Sequence, residues 1–274
     1  MNIQTIIKML IDSGIEECEA KREIKMLAEH FCSYSEKDEI LGRKLTEEEL
    51  HIIKSKAEAR LKDRTPVQYI IGEAYFMGEF FKVTPDVLIP RPETEILVKK
   101  AIDLIKENNI QNVLDIGTGS GCIACTIANR TNAVVLGVDI SSDALRIALD
   151  NVTRLGINNR AVFRKSDLFS KIRDDEKFDM IISNPPYIPF GTELEPELAH
   201  EPSIALFAEE NGLQLYRKIV QEAPNYLNSD GWLIFELGIG ESESVKAFMN
   251  EYFEDVKVEK DIEGIDRIIY GKLI

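Results

Sequence analysis

Two rhythms of apolar and polar residues divide the chain. Over residues 1 to about 70 the apolar positions recur at helical spacing. "IQTIIKMLIDSG" is an amphipathic stretch that ends at Gly14. In "EECEAKREIKMLAEHFC", Cys18, Ile24, Leu27 and Phe31 fall near helical spacing. "TEEELHIIKSKAEARL" opens on Thr46 and Glu49, the S/T-x-x-E spacing of a capping box. Nothing here alternates like a strand, and His30 and His51 read as surface or half-buried helix positions. The pattern predicts a helical domain over 1–70, suited to recognising a substrate.

A bridge follows over 71–92, in "TPVQYIIGEAYFMGEFFKVTPDVLIPRPETEIL". Gly72 and Gly78 break it, and "EAYF" and "EFFKV" around "MG" predict a β-hairpin. The last domain is taken to start at residue 93, and from residue 111 the rhythm changes. A helix over "TEILVKKAIDLIKEN" leads into strands and helices in turn. "NVLDIG", "AVVLGVDI", "AVFRKSDLF", "FDMIIS" and "GWLIFELG" read as strands. "CIACTIANR", "SDALRIALDNVTRLG", "LQLYRKIVQEAPNYL" and "SESVKAFMNEYF" read as helices. "VKVEKD" and "DRIIYGKL" close the chain as a hairpin. Such alternation predicts an α/β domain over 93–274: a mostly parallel sheet, helices on both faces, and an antiparallel hairpin strand at the end.

Composition narrows the partners. The 274 residues carry 48 acids against 33 bases, a net charge of −15. Non-specific nucleic-acid affinity comes from Lys and Arg neutralising phosphates, so this balance argues for a small-molecule or protein partner. No apolar run approaches the ~20 residues of a membrane-spanning helix. The first residues, "MNIQTIIKMLIDSG", lack the basic leader and long apolar block of a signal peptide. Cys122 and Cys125 form a C-x-x-C, but no second ligand pair is present for zinc, and no metal is expected. Buried core thiols and a reducing, cytoplasmic setting follow.

The first chemistry lies in "LDIGTGSG", at a strand-to-helix turn. Gly117, Gly119 and Gly121 allow a tight bend and a close ligand. The dinucleotide fingerprint needs glycine at 122, where Cys122 stands, and no Lys follows as in a P-loop. Asp139, about 20 residues on, ends the second strand where a ribose-binding carboxylate belongs; it either binds a ribose or caps the next helix. Asp167 sits in the "SDLF" turn after the third strand. There an acid can accept the exocyclic amine of an adenine, with Leu168 against the ring. Together these positions predict a nucleoside pocket at the carboxyl edge of the sheet.

The second is "NPPY", Asn184 to Tyr187, after the fourth strand. Pro185 pushes Asn184 towards an extended backbone, and neither Pro185 nor Pro186 has an N–H. The result is a stiff corner with free carbonyls. The Asn184 side-chain oxygen and the Pro185 carbonyl can each accept one hydrogen of an –NH2 group, with Tyr187 stacked on the flat π-system. An amide nitrogen is a poor nucleophile, as its ~18–20 kcal/mol rotation barrier shows. Two fixed acceptors orient it, favour partial pyramidalisation and stabilise developing positive charge.

With "DIGTGSG", "VD", "SDLF" and "NPPY" in this order, the chain resembles class I S-adenosylmethionine-dependent methyltransferases. "RTPVQYIIGEAYFMGEFFKVTPDVLIPRPETE", "EPSIALFAEENGL" and "DIEGIDRIIYGKL" extend the resemblance over nearly the whole chain, to the glutamine-N5 methyltransferases of peptide chain release factors. The resemblance implies a seven-strand Rossmann-like sheet and a cytoplasmic enzyme of translation termination. It implies S-adenosylmethionine as cofactor, S-adenosylhomocysteine as product, and the glutamine of a Gly-Gly-Gln loop as acceptor. By motif, Gly117, Thr118, Gly119, Ser120 and Gly121 would line the cofactor's methionine end. Asp139 would hold the ribose, and Asp167 with Leu168 the adenine. Asn184, Pro185, Pro186 and Tyr187 would clamp the glutamine amide, with Asn184 also beside the cofactor. Pro92, Glu93 and Thr94 would help close the pocket. Release factors are then the protein partner, docked by the helical domain, with no nucleic acid, no membrane and a monomeric enzyme expected. The rivals are an amino methyltransferase acting on adenine or guanine of nucleic acid, a NAD-dependent dehydrogenase, and a non-catalytic cofactor-binding module.

Overall fold

The computed structural model describes residues 2–274 and divides them into two compact units. The first comprises the residues up to Glu73 together with Glu195–His200; the second comprises Ala74–Leu194 and Glu201–Ile274.

The first unit is helical: α1 (Ile3–Asp12), α2 (Glu17–Cys32), α3 (Glu36–Ile40), α4 (Glu47–Asp63) and α5 (Val67–Ile71). The capping box read at Thr46 forms. Its hydroxyl accepts from Glu49 N–H, and the Glu49 carboxylate accepts from Thr46 N–H. A second box, Ser35 with Asp38, starts α3. Ile6, Leu10, Ile24, Leu27 and Ile53 are fully buried in the core of this unit, whereas Cys18 is exposed. Arg60 is also fully buried. Its Nε donates to both carboxylate oxygens of Glu23 at 3.0 Å, and its terminal nitrogen to Glu197 at 2.8 Å. A buried guanidinium is tolerated only when paired in this way. These bonds hold Glu195–His200 among the helices.

The second unit opens at Ala74, inside the hairpin of β1 (Glu73–Phe76) and β2 (Glu79–Lys82), and continues with α6 (Thr94–Asn108). Five parallel strands follow, separated mostly by helices: β3 (Asn112–Ile116), α7 (Cys122–Arg130), β4 (Val134–Asp139), α8 (Ser142–Arg154), β5 (Ala161–Lys165), β6 (Phe178–Ser183) and, after a long connection, β9 (Leu227–Glu236). That connection carries the two-residue strands β7 (Ile188–Pro189) and β8 (Phe207–Ala208), with α9 (Ser203–Leu206) before β8 and α10 (Gln214–Glu222) after it. The chain ends with α11 (Ser242–Met249), β10 (Phe253–Lys260) and β11 (Asp266–Leu273). The sheet order is β10-β11-β9-β6-β3-β4-β5, with β11 antiparallel to both neighbours.

Apart from the edge strand β5, where Val162 is exposed, the parallel strands are largely buried on both faces, so they read as apolar runs rather than as alternation. One face carries α6, α7 and α8 through residues such as Leu97, Ile123 and Val152; the other carries α10 and α11 through Ile219, Val220 and Val245. Strand order reverses between β3 and β6, and at such a switch point the carboxyl ends of the strands leave an open crevice. Among the described residues, no helix is long and apolar enough to cross a membrane.

Candidate active site

The crevice is built from three strand ends. After β3 the chain bends through Gly117, Gly119 and Gly121, all at positive φ (74°, 53° and 78°). Gly117 N–H and Thr118 N–H both donate to the Val138 carbonyl, which ties the loop to the end of β4. Asp139 completes the tie. One carboxylate oxygen accepts from Gly119 N–H at 2.9 Å, and the other from Ser141 N–H at 2.8 Å. The cap of α8 is a different residue, since the Ser141 hydroxyl accepts from Ala144 N–H. Burial, the largest influence, raises the Asp139 carboxyl above the usual range, while those N–H groups pull it back.

Beneath the loop lies Asp115, fully buried on β3. Its Oδ2 accepts the Thr118 hydroxyl at 2.6 Å, and its Oδ1 has no partner. Loss of water around it pushes its pKa to about 7. The Cys122 thiol behind it is pushed up to about 12 by burial, and Cys125 further, so neither supplies a thiolate.

The third wall follows β5. Leu168 adopts a left-handed backbone (φ 45°), uncommon for a branched side chain. The turn is held by Ser166, whose hydroxyl donates to the Leu168 carbonyl and accepts from Lys171 N–H. Asp167 is exposed and Leu168 half-buried.

The corner after β6 closes the site. The Ser183 hydroxyl donates to the Ile116 carbonyl at 2.7 Å and so holds the ends of β6 and β3 together. Asn184 Nδ2 donates to Thr94 Oγ1 at 3.2 Å, which leaves the Asn184 side-chain oxygen free of that contact. The Tyr187 backbone is gripped from behind: a Cβ on Gly212 would lie 2.2 Å from the Tyr187 carbonyl oxygen, so only glycine fits there. Burial pushes the Tyr187 phenol up to about 12.

One cavity touches Gly117, Gly119, Asp139, Asp167, Leu168, Asn184, Pro185 and Pro186. Thr118, Ser120, Gly121, Tyr187, Glu93 and Thr94 are not on its wall. Thr118 is buried against Asp115, and Thr94 is buried behind Asn184. Tyr187 is half-buried at the corner. Sequence reading missed the opposite wall, Asp86 to Leu88 and Pro202 with Ile204 and Ala205. Those two segments are tied by Glu201, which is buried, accepts from Ile89 N–H at 3.0 Å and pairs with Arg91. Glu201 is the acid of the "EPSIAL" stretch, a visible motif whose partner lies 110 residues away.

The likeness to known proteins agrees with this geometry. The model of the methyltransferase small domain matches residues 93–201. A release factor glutamine methyltransferase of Geobacter sulfurreducens is 44% identical over 220 residues, covering 78% of this chain and 76% of that protein. Its namesake from Lactococcus lactis is 40% identical over 240 residues, 85% of this chain and 86% of that one. Among solved structures, a methyltransferase from Pyrococcus furiosus superposes with a TM-score of 0.53 at 19% identity, over 83% of this chain and 98% of that one. The 16S rRNA N2 G1207 methyltransferase RsmC of T. thermophilus, in complex with AdoMet and guanosine, gives 0.55 at 18%, over 74% of this chain and 50% of that one. At those identities the structures speak for the fold. The relatives go further, and the chain belongs to the release factor glutamine methyltransferase family.

Proposed function

We propose that this protein transfers a methyl group from S-adenosylmethionine to N5 of the glutamine in the Gly-Gly-Gln motif of peptide chain release factors. The observation that carries the proposal is one cavity whose wall holds both the glycine loop with Asp139 and the Asn184–Pro186 corner. One side suits a nucleoside and the other suits an amide.

The cofactor fits the residues present. Space is open above Gly117, where a ligand can approach the backbone closely. Asp139 offers the remaining lone pairs of its carboxylate to ribose hydroxyls, and Leu168 offers an apolar face to adenine. When bound, S-adenosylmethionine supplies an electrophilic methyl carbon on sulfur. Everything else falls to this chain. The Asn184 side-chain oxygen and the Pro185 carbonyl accept the two N–H bonds of the glutamine amide and fix its plane. Tyr187, off the cavity wall, stands at the end of the corner. As the nitrogen gains positive charge, both acceptors gain strength without having to reorganise. The proton is then lost to solvent, so no strong base is required before attack.

Release factors are the protein partner, and the helical first unit is assigned to dock them. With a net charge of −15, the enzyme has little use for a phosphate backbone. It acts in the cytoplasm as a monomer. Mass spectrometry of a release factor incubated with enzyme and S-adenosylmethionine tests the proposal. One added methyl on the Gly-Gly-Gln glutamine is expected. An unmodified glutamine, with labelled methyl found in RNA or DNA instead, would overturn it.

A further inference from the structure

The corner's polarity is set from behind the cavity. Ser183 on β6 pairs in register with Phe235 on β9, so Asn184 and Glu236 stand side by side at neighbouring strand ends. Residues in register point to the same face. Here Met180, Ile182 and Ile234 place that face against α6, whose first residue is Thr94. Glu236 is 1% exposed, and its Oε2 has no partner. The Thr94 hydroxyl stands near enough to its carboxylate to favour the ionised form. The same hydroxyl oxygen accepts from Asn184 Nδ2.

A threonine hydroxyl has a single hydrogen. If that hydrogen goes to Glu236, only lone pairs remain for Asn184, which must then turn its –NH2 towards Thr94 and its oxygen away. A protonated Glu236 can donate to Thr94 instead. The threonine hydrogen is then free to meet the Asn184 oxygen, and the amide can turn over. Turned over, it presents two donors to a substrate –NH2 that also has only donors to offer.

We propose that Glu236 is a positioning residue: through Thr94 it fixes which end of the Asn184 amide faces the substrate, an inference that rests on the proposed grip of Asn184 on the glutamine amide. The carboxylate form is the active one, because a carboxylate has no donor and leaves one direction for the hydrogen-bond chain.

The surroundings set where it titrates. Burial is the largest influence and pushes the Glu236 pKa to about 7; Thr94, then Arg267 on β11 and Arg91 before α6, pull it down, and Glu93 pushes it up. Tyr187, Tyr216 on α10 and Cys122 on α7 also face its charge. Those phenols and that thiol are all raised, so they stay protonated near neutrality. Asp115 and Glu241, each pushed by burial to about 7, titrate in the same range. An acid limb in the wild type alone therefore does not identify Glu236, and variants are required.

The test measures methylation of a release factor between pH 5.5 and 9, with cofactor affinity measured separately by calorimetry. The enzymes are full-length wild type, Glu236→Gln, Thr94→Val, Thr94→Ser and Asn184→Ala. The wild-type kcat should fall as pH drops through the Glu236 titration. Glu236→Gln should lower kcat at least about tenfold at pH 8, as misplaced reacting groups do, and should flatten the acid limb, with cofactor affinity unchanged. Thr94→Val should behave alike, whereas Thr94→Ser, which keeps the hydroxyl, should retain both rate and limb. Wild-type kcat with an intact acid limb in Glu236→Gln would overturn the inference, as would equal rates in Thr94→Val and Thr94→Ser. If Glu236→Gln does not fold, the two Thr94 variants decide. A fully active Asn184→Ala would instead remove the grip of Asn184 itself, and so separates the two failures.

Discussion

Two neighbouring strand ends solve opposite problems with opposite residues. Ile116 on β3 is in register with Ser183 on β6, so Gly117 and Asn184 leave the sheet side by side. The first exit is three glycines at positive φ; the second is two prolines in a row. The glycine exit lets a ligand approach the backbone, and it is held by its own N–H groups on Val138 and Asp139. The proline exit has no N–H at two successive positions and presents carbonyls and one amide side chain. On the proposed function, one end therefore takes a bulky ligand, and the other holds a small planar group still. On that reading, the difference lets one sheet edge take two reactants by unlike means.

The sharpest way to break that comparison is Asn184→Ala. On the role proposed for Asn184, the substitution removes an acceptor that acts mainly as charge develops on nitrogen, so turnover should fall about 10²–10³-fold, as when one preorganised partner of a developing charge is lost. Affinity for the cofactor should stay nearly the same, because the glycine exit is untouched. Single-turnover kinetics beside calorimetry measure both. Equal losses in rate and affinity would mean that the two exits act as one site.

On the glycine side, Gly121→Ala should cost stability. Its Cβ would lie 3.0 Å from Ala148 Cβ and from Phe163 Cζ, in a backbone at φ 78°. Left-handed strain of ~1–2 kcal/mol and overpacking of ~1–3 kcal/mol add to about 2–5 kcal/mol, readable by urea unfolding. A wild-type midpoint would show that α7 shifts freely against α8. Asp139→Ala should be milder in the fold but weaken cofactor binding by about ten- to a hundredfold, the worth of a hydrogen bond to a charged group. Unchanged affinity in calorimetry would leave Asp139 only its bonds to Gly119 and Ser141.

Much of this was legible in advance, and what was not has a common cause. Helices with a clear stripe or cap, such as α4 and α6, fall where periodicity puts them. β3 stops before Gly117 and β4 ends at Asp139, so their ends could be placed, whereas β9 begins at Leu227, four residues before the predicted "GWLIFELG". The short α5 lies at the end of the predicted helical domain without a helix of its own predicted, because five residues give periodicity too little length. The acids at strand ends and the NPPY corner are local, and so is their chemistry. Glu236, Glu201 and Glu197 are not. Each is an ordinary acid in its own stretch, and it acquires meaning from Thr94, Arg91 or Arg60, about 100 or more residues away. Nothing in spacing marks such pairs. Thr94 shows the same limit, since its sequence motif suggested a pocket wall and the structure buries it behind Asn184.

The smallest expected effect is the most discriminating. Pro186→Ala keeps Asn184, the Pro185 carbonyl and the restriction that Pro185 places on Asn184. It restores one N–H and loosens the unfolded chain, which should cost about 0.4–1 kcal/mol of stability. If the acceptors do most of the work, turnover should fall no more than about threefold, because Gly212 still grips Tyr187 from behind and Ser183 still anchors the strand end. If instead turnover falls as far as in Asn184→Ala while the fold survives, stiffness outweighs the acceptors. The contrast between the exits would then lie in backbone rigidity alone. Unfolding midpoints and kcat measured on the same preparation separate the two outcomes, because loss of stability of this size leaves nearly all molecules folded at 25 °C.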